Sequence, residues 1–325
     1  MRILLTTHGS AGLIVMCCAA VLVAADAPRG VTKVGEQTIT AADVERELAR
    51  SIPKLPDDAA VVAKLRAATL RECVNHELAL QWFEAQGKAA SEPTMDAELQ
   101  RRKKELAARK IAWEKYLEQS RHTEASLRRE VKWRLTWQNY LDEQLADANL
   151  QRYFDKHRAE FDGTKVRVAH LLLKAPESSA SQAAWNELLE QAVAIRQQVT
   201  SGKLTFADAV KKHSQAPTAE SGGDIGFIGR HAPMPEAFSK AAFALKSGET
   251  SAPVETTFGV HLIQCLEIKP GEKPWTESRE ELKTAVTRYL FDWIVEKQGA
   301  KVRVQYLDVN AVDDPTKLPL DGKFQ

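Results

Sequence analysis

Two short runs of this chain each carry one histidine among apolar residues: Val166-Arg167-Val168-Ala169-His170-Leu171-Leu172-Leu173 and Phe258-Gly259-Val260-His261-Leu262-Ile263-Gln264. Both have the length and the β-branched, apolar character of strands. Alternation places His170 on the face of Val166, Val168 and Leu172, and His261 on the face of Ile263 and Cys265. A neutral imidazole donates from one nitrogen and accepts on the other, so a pair of them brought together can form a directional chain with Thr256 or Thr257 nearby. A single histidine in such a setting is most simply a satisfied core residue; two of them restrict what the segment between can be.

That segment contains helices and turns. Trp185, Leu188, Ala192, Ile195 and Val199 recur at steps of three and four, which predicts a helix that covers a sheet and stops before Gly202. Thr205 and Asp208 make a capping-box-like start for a second helix with Phe206, Ala209 and Val210 inward. A third follows Pro235, with Phe238, Ala242 and Leu245 inward and Gly248 beyond its end. Short strands are expected near Ile225 to Ile228 and Val254 to Thr256. The glycines of Ser221-Gly222-Gly223-Asp224-Ile225-Gly226-Phe227 fit neither GxGxxG nor a P-loop, so a nucleotide loop is excluded.

In this order and spacing, the histidine strands, the Gly-Gly-Asp-Ile-Gly segment and Met234-Pro235-Glu236-Ala237-Phe238 resemble the parvulin family of peptidyl-prolyl isomerases. The resemblance implies a four-stranded antiparallel sheet wrapped by helices. It implies a catalytic network of His170, His261 and Thr256, and a substrate pocket of Ile225, Met234 and Phe238 with Lys174 at its rim. Rotation about a peptide bond meets a barrier of about 20 kcal/mol, while an Xaa-Pro bond keeps cis and trans within roughly 1 kcal/mol. A catalyst for it needs no cofactor, metal or covalent step, only an apolar pocket for the ring and donors suited to the twisted amide. Ligand spacing gives no support to a zinc site built with His213 or His231.

Two departures from the family pattern bear on activity. Ala216, in His213-Ser214-Gln215-Ala216-Pro217, stands where a cysteine or aspartate is usual, and its methyl neither carries charge nor accepts a hydrogen bond. Weakened or absent catalysis is expected unless Ser214, Gln215 or Thr218 substitutes. Arg230-His231-Ala232-Pro233 makes the approach to Met234 one residue longer than the shorter family pattern. Because Ala175-Pro176-Glu177-Ser178-Ser179 lacks an arginine cluster, selectivity for phosphorylated substrate is not expected.

A chain of 325 residues exceeds what one core usually serves. Arg2 and His8 precede an apolar run from Ala11 to Ala25 that suits a signal peptide and is short for a membrane span, with small residues for cleavage before Asp26. Met16 before Cys17 argues against lipidation. Cys73 and Cys265, left after cleavage, are expected as small buried hydrophobes rather than a bridge. Val31 to Ile39 reads as two strands about a glycine turn, with Thr40 capping a helix from Ala41. A helix over Asp57 to Gln86 follows, then stripes marked by Met95, Leu99, Leu106 and Ile111 and by Leu127, Val131, Leu135, Leu141 and Leu145. A shorter helix carries Leu150, Tyr153, Phe154, His157 and Phe161 on one face. Beyond the linker Lys269 to Pro274, a helix over Thr276 to Gln298 with Leu282, Val286, Tyr289, Leu290 and Trp293 on its stripe precedes a strand, Val302 to Tyr306. A lone helix and strand cannot bury their faces, so both are expected to fold back on the N-terminal region.

The fold class is therefore α+β, a parvulin-like unit inserted in a mainly α-helical chaperone domain, resembling exported folding factors of the SurA and PrsA kind. The expected division is 1–25 signal peptide, 26–162 helical domain, 163–271 parvulin domain, 272–309 returning helix and strand, and 310–325 tail. The expected activity is peptidyl-prolyl cis-trans isomerisation with chaperone action on unfolded or proline-containing exported polypeptides. The alternative is a catalytically weak parvulin fold that only binds. A net charge of +1 gives no reason to expect nucleic acid. Contact with a membrane is expected only through an uncleaved signal, and the periplasm is favoured over the outside of a single-membrane cell.

Overall fold

The computed structural model of the protein describes residues 30–174, 182–231 and 233–307. The expected signal peptide, the Ala175 to Ser179 segment and the tail from Asn310 lie outside the described residues. The chain opens with β1 (Gly30–Val34) and β2 (Gln37–Thr40), an antiparallel hairpin. It then passes through α1 (Ala41–Ser51), α2 (Ala59–Ala85), α3 (Glu92–Ala108), α4 (Trp113–Gln119), α5 (Glu124–Gln144), α6 (Asp147–Lys156) and α7 (Arg158–Phe161). Local chemistry accounts for the helix starts. Thr40 and Asp43 close a reciprocal capping box on α1, Asp58 accepts from the backbone of Ala60 and Val61, and Thr123 and Ser126 box the start of α5.

Next come β3 (Lys165–Lys174), α8 (Gln182–Thr200), α9 (Phe206–His213), β4 (Asp224–Ile228), α10 (Glu236–Phe243), β5 (Val254–Thr256) and β6 (Gly259–Lys269). These strands form one antiparallel sheet in the order β4-β3-β6-β5, so the two histidine strands are its centre. One face, with Leu171, Leu173, Val260 and Leu262, packs on α8 and α9; the other, with Val166, Val168, Ile263 and Cys265, packs on α10. The chain ends with α11 (Arg279–Gly299) and β7 (Val304–Tyr306). As the sequence suggests, β7 returns to β1, giving a second sheet in the order β2-β1-β7, and α11 lies against α2.

Entry to and exit from the four-stranded unit lie side by side. Gly271 N–H donates to Thr164 Oγ1 at 2.9 Å and Lys273 N–H to the Asp162 carbonyl at 2.9 Å. A Cβ on Gly271 would stand 2.1 Å from that carbonyl oxygen, so glycine is required where the two chain segments pass.

Four expectations are corrected. Ile111 is not on α3: the helix stops at Ala108, Lys110 takes a left-handed φ of 57°, and Ile111 N–H turns back to Leu106 O. The separate helix α4 follows, unforeseen. The stripe expected over Leu150 to Phe161 spans two helices, because His157 leaves helical geometry (φ −120°, ψ 29°). On α11 the buried line runs Leu282, Val286, Ile294 and Gln298, stepping by fours through half-buried Leu290, which leaves Tyr289 and Trp293 exposed. Cys73 is half-buried and Cys265 buried, both free; burial pushes the Cys73 thiol up to about 12.

Ile294, fully buried against Phe83 and Ala79, is the contact by which α11 completes the core of α2. Ile294→Ala should cost about 3 kcal/mol, read as a lower urea midpoint of helical ellipticity.

Candidate functional site

The pairing of β3 with β6 sets the site. His170 lies opposite Ile263 and Leu172 opposite His261, so both imidazoles emerge on one face, one step apart along the ladder. A register shift at Arg167/Val168 precedes them and does not reach them. The rings lie nearly parallel, 17° between planes, and Nδ1 of one is 3.3 Å from Nδ1 of the other. Both are buried, 8% exposed for His170 and 3% for His261, which makes His170 the more accessible.

The outer nitrogens are also engaged. His261 Nε2 is 2.8 Å from Thr256 Oγ1, and His170 Nε2 is 3.4 Å from Thr218 Oγ1. Thr256 Oγ1 accepts from Phe258 N–H and lies 3.4 Å from the Gly259 carbonyl. One direction uses every contact: Thr218 O–H donates to His170 Nε2, His170 Nδ1–H to His261 Nδ1, His261 Nε2–H to Thr256, and Thr256 O–H to Gly259 O. Both rings are then neutral. Burial lowers the His170 pKa; burial and the neighbouring His170 push His261 down to about 4.

Phe238 on α10 presents its ring edge-on to both imidazoles, with centroids 5.7 Å and 5.3 Å away. It is fully buried, because α10 lies flat on this face of the sheet. Ile225 and Met234 are half-buried on the same cluster and flank it. The Gly-Gly-Asp-Ile-Gly segment has a role in placing the first strand. Gly223 O accepts from His170 N–H at 2.9 Å, and at φ 81° a Cβ on Gly223 would stand 2.3 Å from His170 O.

Comparison with known proteins adds an independent line. The PPIC-type peptidyl-prolyl isomerase domain matches residues 170–267. A Pin1 peptidyl-prolyl cis-trans isomerase of Malus domestica is 36% identical over 115 residues, 31% of this chain and 93% of that protein. The chain belongs to the PPIC-type, or parvulin, family. Foldase protein PrsA of Bacillus subtilis is 30% identical over 162 residues, 49% of this chain and 48% of that protein. Chaperone SurA of Thiobacillus denitrificans is 35% identical over 119 residues, 37% of this chain and 26% of that protein. The chain thus matches about half of the PrsA relative's length and about a quarter of the SurA relative's.

Within this parvulin unit, Ala216 is buried and brings only a methyl group. Of its three polar neighbours, two are committed to the backbone. Ser214 Oγ accepts from the N–H groups of Leu172 and Ala216, and Gln215 Oε1 accepts from Lys174 N–H. Thr218 is the one that reaches an imidazole. Lys174 is exposed at the end of β3, its backbone held by Gln215. Thr257 is not the partner of His261; Thr256 is. Phe258, 61% exposed in the turn between Thr256 and β6, donates its N–H to Thr256 Oγ1.

Below the ordinary imidazole value of 6.5 the unfolded chain takes up protons that the folded one resists: folded His261 refuses its proton until about pH 4, and burial lowers the His170 pKa as well. Depressed folded pKa values mean that stability present above pH 6.5 is lost as pH falls through this window. The urea midpoint should drop with acid over that range, and His261→Gln should flatten the slope.

Proposed function

We propose that this protein is a peptidyl-prolyl cis-trans isomerase that also acts as a chaperone for exported polypeptides. The observation that carries the reading is the bridged pair of neutral imidazoles above Phe238 and beside Ile225 and Met234. A proline ring fits an apolar wall of this kind, where half-buried Ile225 and Met234 are accessible, methionine adapts, and fully buried Phe238 backs the imidazoles. His170, the more open imidazole, lies nearest a bound Xaa-Pro bond, while His261 and Thr256 hold its orientation. No charge is needed at any step, because rotation moves no proton or electron pair between molecules. The site's work is to bind the twisted amide better than the planar one.

The domain division drawn from the sequence belongs to this reading. Residues 163–271 form the isomerase unit; 26–162 and 272–309 form one helical domain around it, supported by the β1–β7 pairing and the packing of α11 on α2. The signal peptide at 1–25 would export the chain, with the periplasm as the favoured compartment. The partners are unfolded or proline-containing exported chains, without selectivity for phosphate. The names of the PrsA and SurA relatives, a foldase and a chaperone, support the same assignment.

One observation favours a second reading. Ala216 leaves the site without the group usual in parvulins, and a unit that binds prolyl segments without turning them over has the same walls. Cis/trans exchange of an unphosphorylated Ala-Pro peptide separates the two. The unaltered protein should accelerate exchange; His170→Ala should lower the acceleration roughly tenfold or more, and Thr218→Val should lower it by less. Absence of acceleration, restored by Ala216→Asp, would establish the binding-only reading instead.

A further inference from the structure

The loop from β4 to α10 runs Gly229-Arg230-His231-Ala232-Pro233-Met234-Pro235 and so ends at the proline pocket. Arg230 is a buried cation, its side chain 8% exposed. Its three guanidinium nitrogens are all used. Nη1 and Nη2 donate to the two oxygens of Glu236 at 2.8 and 2.7 Å, and Nε donates to Glu160 at 3.1 Å. Glu236 is the first residue of α10, two positions before Phe238. Glu160 is on α7, before the first strand of the parvulin unit.

The helical end of this tie is itself anchored. The other oxygen of Glu160 is 2.9 Å from His157 Nδ1, and the His157 ring stacks on Tyr153 with centroids 4.3 Å apart. Beside it the His231 ring lies 5.5 Å from Phe161. The neck at Asp162, Thr164 and Gly271 fixes where the sheet begins, at the far end of β3 from Leu172 and Lys174. Arg230 reaches α10 instead, and α10 carries the ring beneath both imidazoles. A guanidinium held out of water depends on both carboxylates, so loss of one leaves charge uncompensated and shifts what the other holds.

We propose that Arg230 is a positioning residue through which the helical part of the chain sets the proline pocket, so that affinity for a prolyl segment depends on Glu160, outside the parvulin unit. The functional half of this inference rests on the prolyl-binding reading above; the structural half does not. It gives the longer loop a purpose: Arg230 and His231 form the contact with α7 before the chain turns to Met234.

The test uses the full chain with Glu160→Gln, Glu160→Asp and, as a control on exposed α8, Glu190→Gln. Two quantities are read from one sample: the Met234 methyl resonance in the free protein, and the dissociation constant for an Ala-Pro peptide, with KM and kcat from exchange. Glu160→Gln should move the Met234 methyl and weaken binding and KM roughly three- to tenfold, with kcat nearly unchanged. Glu160→Asp should recover part of the loss, and Glu190→Gln should change nothing. A merely structural contact would lower the unfolding midpoint without moving Met234 or separating KM from kcat. An unmoved Met234 methyl and unchanged affinity in Glu160→Gln would overturn the proposal. If the unaltered chain bound no prolyl peptide, the prolyl-binding reading and its functional consequence here would fall, while the methyl shift would still decide whether the tie reaches the pocket.

Discussion

Everything at this site depends on one piece of strand pairing. With β3 and β6 in the register that sets Leu172 opposite His261 and His170 opposite Ile263, two imidazoles meet across a buried ladder at 3.3 Å. A slip of one residue would send one ring to the opposite face, into Leu171, Leu173, Val260 and Leu262. The register is held by apolar burial on both faces and by Gly223, whose lack of a side chain lets its carbonyl reach His170 N–H. Burial also keeps the rings neutral, and neutrality lets a chain of four side chains satisfy itself without a counter-ion.

The same economy of polar groups explains the surroundings of Ala216. Two of the nearest polar side chains, Ser214 and Gln215, hold the segment after α9 against the end of β3 through backbone bonds. Their acceptor oxygens are parts of the frame. Thr218, at the start of the turn that leads to Gly222 and Gly223, is set against His170 by that turn. A parvulin site with alanine at 216 therefore keeps a closed hydrogen-bond chain. What it lacks is a polar group beyond that chain.

Much of this was legible in the sequence because periodicity and punctuation agreed. The period-two runs around His170 and His261 mark two strands, the parvulin resemblance makes them central neighbours, and Gly202 and Thr205 mark helix boundaries that the chain observes closely; α10 stops at Phe243, short of Leu245 and Gly248. Of the stripe read on α11, Leu282 and Val286 are buried and Leu290 is half-buried, whereas Tyr289 and Trp293 are exposed because the buried line continues to Ile294 and Gln298. Phe238 is read from the sequence both as inward on its helix and as a wall of the pocket, and α10, packed flat on the sheet, buries it fully. The tie of Glu160 to Arg230 joins residues 70 apart in sequence, and no local pattern encodes it. Of the histidine chain, the sequence supplied its members and left the choice between Thr256 and Thr257 open. Geometry decided for Thr256.

The claim at the centre of this account is that His170 and His261 form a neutral, directionally bonded pair. Long-range proton–nitrogen spectra of the two imidazoles at neutral pH test it most directly. The account predicts one protonated and one bare nitrogen on each ring, with the proton on Nδ1 of His170 and on Nε2 of His261. Double protonation of either ring would make the pair charged, and bare Nδ1 atoms on both would leave no bridge between them; either result would contradict it.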